Sequence, residues 1–197
     1  MLYDVNGEWA PLAYNQVITI PAHPNIYNGN NERMLRIEYS IPQRGTNDDT
    51  GIVLLVPGFG GSIDSRVYKK MRETFADTYN LVTVQCDYFG HKFMQNANEI
   101  TFPHDMLKRK LSKEDFEALM ADQSKLYDII GAYSTQFTCK AVIHETENEF
   151  ADMSYMQAID NITAVEAVKI ILKENDLPFN HNKIFGYGHS PGAYILH

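Results

Sequence analysis

The chain has 197 residues, of which 44% are hydrophobic and 21% are charged, and its formal net charge is −8 at pH 7. This composition is typical of a globular domain with a sizeable core and excludes intrinsic disorder. Phosphate groups are recognised by clustered lysine and arginine, and the longest basic run is Lys108-Arg109-Lys110. The charge therefore argues against nucleic acids and anionic membranes as partners.

Targeting signals and metal-binding patterns are both missing from the sequence. No stretch approaches the roughly 18 apolar residues of a spanning helix, and Met1–Glu8 lacks the basic segment and apolar core of a signal peptide, so we expect a cytoplasmic protein. Cys86 and Cys139 have no C-x-x-C spacing and are predicted to be buried free thiols. The acidic residues between Glu145 and Asp152 are typical of a solvated loop. No cofactor or metal ion is predicted.

The first half of the chain predicts a hairpin followed by a βαβ unit. Val17–Ile20 and Met34–Ile41 are rich in β-favouring residues and are separated by a stretch dense in Pro, Asn and Gly. Ile52–Val56 is a run of five apolar residues, which indicates a strand of a parallel sheet buried on both faces. A glycine loop, a helical pattern from Asp64 to Tyr79 and a second apolar strand, Leu81–Cys86, complete a βαβ unit that should be right-handed.

A segment of about residues 91–150 interrupts the alternation of strands and helices. Within it, the capping box Ser112–Asp115 predicts a helix that runs to about Tyr133, and Cys139–Ile143 predicts a short strand. Two interpretations stay open for this insertion. It is either a lid over a site or an additional structural segment that packs on the edge of the sheet without a role in the site.

The last part of the chain contains a Gly-x-Ser-x-Gly motif between a strand and a helix. Asp152 can cap a helix that ends near Pro178, and the apolar run Lys183–Tyr187 then leads into Gly188-His-Ser-Pro-Gly192. This context is typical of a nucleophile elbow, in which a strained serine presents its Oγ and small residues flank it on both sides. Ser190 is therefore the candidate catalytic nucleophile.

Three landmarks in the same order resemble the α/β-hydrolase superfamily. Val56-Pro-Gly-Phe-Gly-Gly61 is similar to its oxyanion loop, Asp87-Tyr-Phe-Gly90 to the turn after its fourth strand, and Gly188–Gly192 to its nucleophile elbow. A narrower resemblance, to bacterial α/β-hydrolase-like proteins of unassigned function, rests on the Asp87–Gly90 turn, the segment from Phe150 to Asp160 and the long insertion. The resemblance implies a mostly parallel α/β sheet with an N-terminal antiparallel hairpin, truncated after the elbow, within a single incomplete domain of residues 1–197.

The resemblance also implies which residues act. Ser190 is the nucleophile towards a small-molecule ester or acyl substrate, Phe59 and Gly60 form the oxyanion hole, and His189, Tyr88 and Phe89 line the pocket. It places the acid and the base of the triad after Ser190, where only Pro191–His197 follow, so we expect this chain alone to be inactive. The upstream histidines, His91, His144 and His189, are interpreted as loop or pocket-wall residues.

Pro191 departs from the expected pattern in two ways. It has no N–H to serve as the second oxyanion donor, and proline disfavours a strained backbone in the residue that precedes it. A non-catalytic relic or a small-molecule-binding remnant is therefore the alternative function. A dinucleotide-binding loop built on Gly186, Gly188 and Gly192 is a weaker alternative, because the G-x-G-x-x-G spacing is broken.

The strand Lys183–Tyr187 carries one further expectation. The resemblance places it inside the sheet, and further strands are expected beyond its outer edge. An uncovered apolar edge pairs with other chains, so we predict self-association through residues 183–187, and we expect a Lys or Pro at Phe185 to disrupt it.

Overall fold

The computed structural model describes residues 14–94, 99–153 and 155–197, which fall into two compact units. The first unit comprises residues 14–94 together with the described residues from Glu145 to His197, and the second comprises residues 99–144. The second unit lies within the predicted insertion of residues 91–150, of which 95–98 are outside the described residues.

The strands of the described residues are β1 (Asn15–Pro21), β2 (Met34–Ser40), β3 (Gly51–Val56), β4 (Leu81–Cys86), β5 (Glu99–Thr101), β6 (Lys140–Val142) and β7 (Ile184–Gly188). The helices are α1 (Arg66–Tyr79), α2 (His104–Lys110), α3 (Lys113–Ala121), α4 (Leu126–Gly131), α5 (Tyr155–Glu174) and α6 (Pro191–Ile195). Short 3₁₀ helices span His91–Met94 and Gln123–Lys125. None of the described helices combines the length and apolar character that crossing a membrane requires.

A mixed five-stranded sheet forms the centre of the first unit. Its strand order is β1-β2-β4-β3-β7. β1 and β2 form the predicted antiparallel hairpin, β2 is antiparallel to β4, and β4, β3 and β7 run parallel. The strand order and directions confirm the prediction of an α/β fold with an N-terminal antiparallel hairpin and a parallel region. The carboxyl ends of β4, β3 and β7 lie at one edge of the sheet, where ligands bind in open α/β folds.

The two long helices pack on opposite faces of this sheet. Cys86 contacts α5, whereas Thr83 and Gln85 bond to Arg72 of α1, and alternate residues of a strand point to opposite faces. The α5 face holds the apolar core, which includes Ile37, Leu54, Val56, Val82, Val84, Ala164, Val168 and Leu172. All six residues of β3 are buried, as its continuous apolar run predicts.

The second unit differs from the predicted single helix between Ser112 and Tyr133. α3 ends at Ala121, because Asp122 adopts an extended backbone (φ −148°, ψ 99°) and its side chain accepts the N–H of Ser124. Aspartate competes in this way with the helical hydrogen bonds, and a new helix, α4, follows. The expected strand within Cys139–Ile143 is present as β6, which pairs with β5. Cys139 itself is exposed, so the prediction that both thiols are buried holds only for Cys86.

Candidate active site

The motif around Ser190 forms a tight turn between β7 and α6. Ser190 has φ 54° and ψ −125°, a backbone conformation that L residues rarely adopt. The Gly192 N–H donates to the His189 carbonyl at 3.0 Å and closes the turn. These angles are those of the first central position of a type II′ turn, which glycine normally occupies. Ser190 is exposed, so the strained residue is also accessible from solvent.

The two glycines of the motif are required by close packing. A Cβ on Gly188 would lie 2.5 Å from the carbonyl carbon of Gly192, and a Cβ on Gly192 would lie 2.2 Å from the carbonyl oxygen of Val56. Both distances are shorter than those at which the Cβ atoms of real side chains contact other heavy atoms. The elbow therefore packs directly on itself and on the end of β3.

Pro191 is compatible with the strained serine, in contrast to the expectation from sequence. The steric effect of proline excludes the right-handed helical region for the preceding residue, with ψ near −40°. Ser190 has ψ −125° and lies outside that region. Pro191 also takes the second central position of the turn, where a φ near −80° is needed, and the first position of α6, where no N–H is required.

The predicted oxyanion loop lies beside the elbow because β3 and β7 are parallel neighbours, with Val56 opposite Gly188. A Cβ on Gly58 would lie 2.7 Å from the His189 carbonyl oxygen and 3.1 Å from the Ser190 Cβ. There is thus no room for a side chain at Gly58, and the loop backbone packs directly against the elbow.

The N–H groups of this loop differ in whether they are already used. The Gly60 N–H donates to the Met94 carbonyl at 2.6 Å, and the Gly61 N–H donates to the Gly58 carbonyl at 2.9 Å. Burial raises the pKa of the Tyr68 hydroxyl, and the nearby Gly58 backbone partly opposes that rise. Within the described residues the Phe59 N–H donates to no acceptor. Of the two predicted oxyanion donors, Phe59 is available and Gly60 is engaged.

No histidine hydrogen bonds to Ser190 within the residues that the structure describes. The His91 Nδ1 lies 3.1 Å from the Tyr88 carbonyl oxygen, and its Nε2 lies 3.6 Å from Asp87 Oδ1. His144 lies in the second unit, 4.0 Å from Glu99. His189 is exposed and packs beside Gly58.

Two of the three predicted pocket residues line a cavity formed by described residues. Tyr88 and Phe89 are almost fully buried and face a polar cavity of about 460 Å³. The rest of its lining is mainly polar and charged: Asn30, Arg33, Met34, Arg36, Asp87, His91, Lys92, Thr146, Asn148 and Glu149. His189 is not part of this lining. Its role beside the nucleophile stays a prediction.

A comparison with known families gives one match to the chain. Residues 20–197 match the family described as "Protein of unknown function (DUF2920)". The chain belongs to this family. No curated protein matches it. Among solved structures it is similar to a highly thermostable carboxyl esterase from Bacillus coagulans in complex with glycerol, with 20% sequence identity and a TM-score of 0.46. That similarity covers 93% of this chain and 39% of the esterase chain.

A buried ion pair beneath the polar cavity was not foreseen from sequence. Asp160 of α5 is fully buried, and its Oδ2 lies 2.5 Å from Arg33 Nη2 and 2.8 Å from the Phe89 backbone nitrogen, which donates to it. Burial raises the pKa of Asp160, and Arg33 and the Phe89 N–H oppose that rise. The sequence feature that could have indicated this ion pair is Asp160 itself, a charged residue within the apolar stripe of α5, four residues after Met156.

The described residues also contain no group of three His, Cys, Asp or Glu side chains that converge closely enough to hold a metal ion.

Proposed function

We propose that the chain carries the nucleophile and the oxyanion loop of a serine hydrolase of the α/β-hydrolase type, in which Ser190 attacks carboxylic esters or related acyl compounds once a base is supplied. The observation that carries the proposal is the backbone of Ser190, a non-glycine residue at φ 54° on an exposed strand–turn–helix elbow. A residue in such a region costs about 1–3 kcal/mol, and that strain is concentrated at catalytic and ligand-binding sites.

The neighbouring loop supplies the second element of this chemistry. When the Ser190 Oγ attacks a carbonyl carbon, its proton passes to a base and the carbonyl oxygen becomes an anion. The Phe59 N–H, on the loop that contacts Ser190, is the donor that remains to hydrogen bond to this anion. Collapse of the intermediate releases the alcohol and leaves an acyl-serine, which water then hydrolyses.

A base and its carboxylate are the groups that this reaction still requires. Histidine is the usual base for serine, and a carboxylate holds its tautomer. None of the described histidines bonds to Ser190, so we assign no base among them.

One observation favours the alternative, a non-catalytic protein that binds a small molecule at the same elbow. Pro191 supplies no N–H where the second oxyanion donor is expected. Loss of one such donor lowers the rate by about 10²–10³-fold in enzymes where it has been removed.

The two functions are separated by a fluorophosphonate probe, which reacts with activated serines. We expect the purified protein to be labelled on the peptide that contains Ser190, as determined by mass spectrometry. Ser190→Ala should abolish this labelling. Ser62→Ala, in the adjacent loop, is the matched control and should be labelled like the wild type. Absence of labelling, or labelling that Ser190→Ala leaves intact, supports the binding protein.

Turnover of p-nitrophenyl esters is a separate measurement, because each cycle also requires a base to activate the water that hydrolyses the acyl-serine. From the described residues we expect a rate no higher than that of Ser190→Ala. A serine-dependent rate well above this background would show that a base reaches Ser190.

A further inference from the structure

The polar cavity of about 460 Å³ is built by three segments of the first unit. They are the start of β2 with the loop before it, the turn after β4 with the 3₁₀ helix that follows, and the loop that precedes α5. The volume lies within the range of small-molecule sites. The cavity lies beside β2 and β4, whereas β7 and the elbow lie on the other side of β3. A ligand here would therefore bind independently of any reaction at Ser190.

Contacts between distant residues hold the walls of the cavity in place. The Asn28 Nδ2 donates to the Glu147 carbonyl at 3.0 Å and to Asn148 Oδ1 at 2.9 Å, and these bonds join the loop after β1 to the loop before α5. On another wall, Arg33 is held by the buried carboxylate of Asp160. The cavity is thus formed before any ligand binds, which lowers the entropic cost of binding.

The cationic side chains of the lining already have carboxylate partners. The ion pairs are Arg33 with Asp160, Arg36 with Asp64, and Lys92 with Glu149. An anionic ligand would have to displace a carboxylate from one of these pairs, and a cationic ligand would have to displace a guanidinium or ammonium group. Either exchange leaves a partly buried charge without its partner, which is costly. The lining therefore favours a neutral ligand.

Asp87 is a lining carboxylate that still has acceptor capacity. Its side chain is only 19% exposed, and within the described residues it accepts one hydrogen bond, from Arg36 Nη1 at 3.5 Å. Donors normally lie about 2.7–2.9 Å from a carboxylate oxygen. Burial raises the pKa of Asp87, and the charges of His91 and Arg36 oppose that rise. A closer donor would stabilise the ionised carboxylate.

Two lining amides have the complementary capacity to donate. Asn30 Oδ1 accepts the Glu32 N–H at 3.0 Å, and Asn148 Oδ1 accepts from Asn28, so these bonds fix which end of each amide is the donor. Across the part of the chain that the structure describes, neither Nδ2 group donates to a protein acceptor. The cavity thus offers a carboxylate acceptor and two N–H donors to a ligand.

We propose that the polar cavity binds a neutral, hydroxyl-rich small molecule of the monosaccharide class. A hydroxyl group donates one hydrogen bond and accepts up to two. One hydroxyl of the ligand donates to Asp87, and others accept from the Nδ2 groups of Asn30 and Asn148, while the ion pairs of the lining stay intact. An apolar ligand would cover the same polar groups without satisfying them, which is unfavourable.

Saturation-transfer NMR with the wild-type protein tests the ligand class. The probes are D-glucose, D-galactose and D-mannose, each compared with its uronate and its amino sugar, which keep the ring and add a charge. We expect at least one neutral sugar to bind with a millimolar dissociation constant. It should bind at least about fivefold more tightly than both of its charged analogues, because these disturb the ion pairs.

A matched pair of variants tests the position of the site. Asp87→Asn removes the open carboxylate, and the dissociation constant of the sugar should rise roughly tenfold. Asp64→Asn removes the other carboxylate that pairs with Arg36, but Asp64 does not line the cavity. Binding by Asp64→Asn should stay within about twofold of the wild type.

Amide shifts of the wild-type protein provide a measurement that needs no variant, in case Asp87→Asn does not fold. The sugar should shift the amide signals of Asn30, Tyr88 and Asn148, and shifts confined to other regions would place it elsewhere. Three further results overturn the proposal. They are no binding of any neutral sugar up to about 50 mM, tighter binding of a charged analogue, and equal weakening by Asp87→Asn and Asp64→Asn. None of these results depends on whether Ser190 reacts with a fluorophosphonate.

Discussion

Two turns at the carboxyl edge of the sheet are built in opposite ways. Tyr88 and Phe89, in the turn after β4, are almost fully buried, and the Phe89 N–H is held by the carboxylate of Asp160. The turn after β7 is exposed, its central residue has a strained backbone, and the Ser190 side chain makes no hydrogen bond within the described residues.

The difference indicates which turn stabilises the fold and which is available for chemistry. A buried turn with satisfied polar groups contributes to stability, and changes to it should lower the free energy of unfolding. A strained, accessible serine reduces stability and is retained only where the surrounding structure enforces it. Substitutions in the first turn should therefore affect unfolding, and those in the second should affect reactivity.

The largest effect on the buried turn is expected from Gly90→Ala. Gly90 has φ 71°, and a Cβ there would lie 2.1 Å from the Phe150 carbonyl oxygen. Because both the backbone angle and the contact oppose a side chain, we expect a loss of about 4 kcal/mol or more in urea unfolding. Gly45→Ala is the matched control, since Gly45 has φ 82° with nothing within 4 Å and should lose only about 1–2 kcal/mol. Equal losses in the two variants would contradict the role of the Phe150 contact.

The second-largest effect on stability is expected from the ion pair between Arg33 and Asp160, which lies against the same turn. Asp160→Ala leaves Arg33, whose side chain is only 12% exposed, without its carboxylate, and we expect a loss of about 3 kcal/mol in the free energy of unfolding. The double variant Arg33→Met with Asp160→Leu removes both charges and should recover most of that loss, because the pair is then replaced by apolar groups of similar size. If the double variant is as unstable as the single one, the carboxylate acts mainly through its bond with the Phe89 N–H.

Pro191→Ala tests the exposed turn through reactivity. Alanine restores a backbone N–H after the nucleophile, where the second oxyanion donor is expected. If Ser190 attacks through an anionic intermediate, the rate of fluorophosphonate labelling should rise roughly a hundredfold, which corresponds to about 2.7 kcal/mol. The free energy of unfolding should change by less than about 1 kcal/mol, because alanine is also favourable in the first turn of a helix. An unchanged labelling rate would mean that the N–H of residue 191 does not face the reacting group.

Local patterns were sufficient to predict most elements of the first unit. The apolar runs of β3 and β4, the helical spacing of α1 and the glycines of the elbow depend on residues that are close in sequence. Contacts between distant residues were not predictable in this way. The bond from Gly60 to Met94 depends on where the 3₁₀ helix after β4 lies. The pairing of Arg33 with Asp160 depends on how the loop after β1 meets α5. The break at Asp122 was missed because helical periodicity continues through it, and only the aspartate side chain interrupts it.

The smallest effect is expected from Ser190→Gly, and its sign is informative. Glycine adopts φ 54°, ψ −125° without the steric penalty that a Cβ brings, so the substitution should lower the free energy of the folded state. Glycine also has more conformational freedom in the unfolded chain, which offsets part of that gain. We therefore expect the free energy of unfolding to rise by about 1 kcal/mol in Ser190→Gly and to stay near the wild-type value in Ser190→Ala, which keeps the Cβ and hence the strain. Urea unfolding of the three proteins under one condition provides the comparison. A glycine variant no more stable than the alanine variant would mean that the turn imposes no strain on Ser190, and the elbow would then lose the feature that separates it from the buried turn after β4.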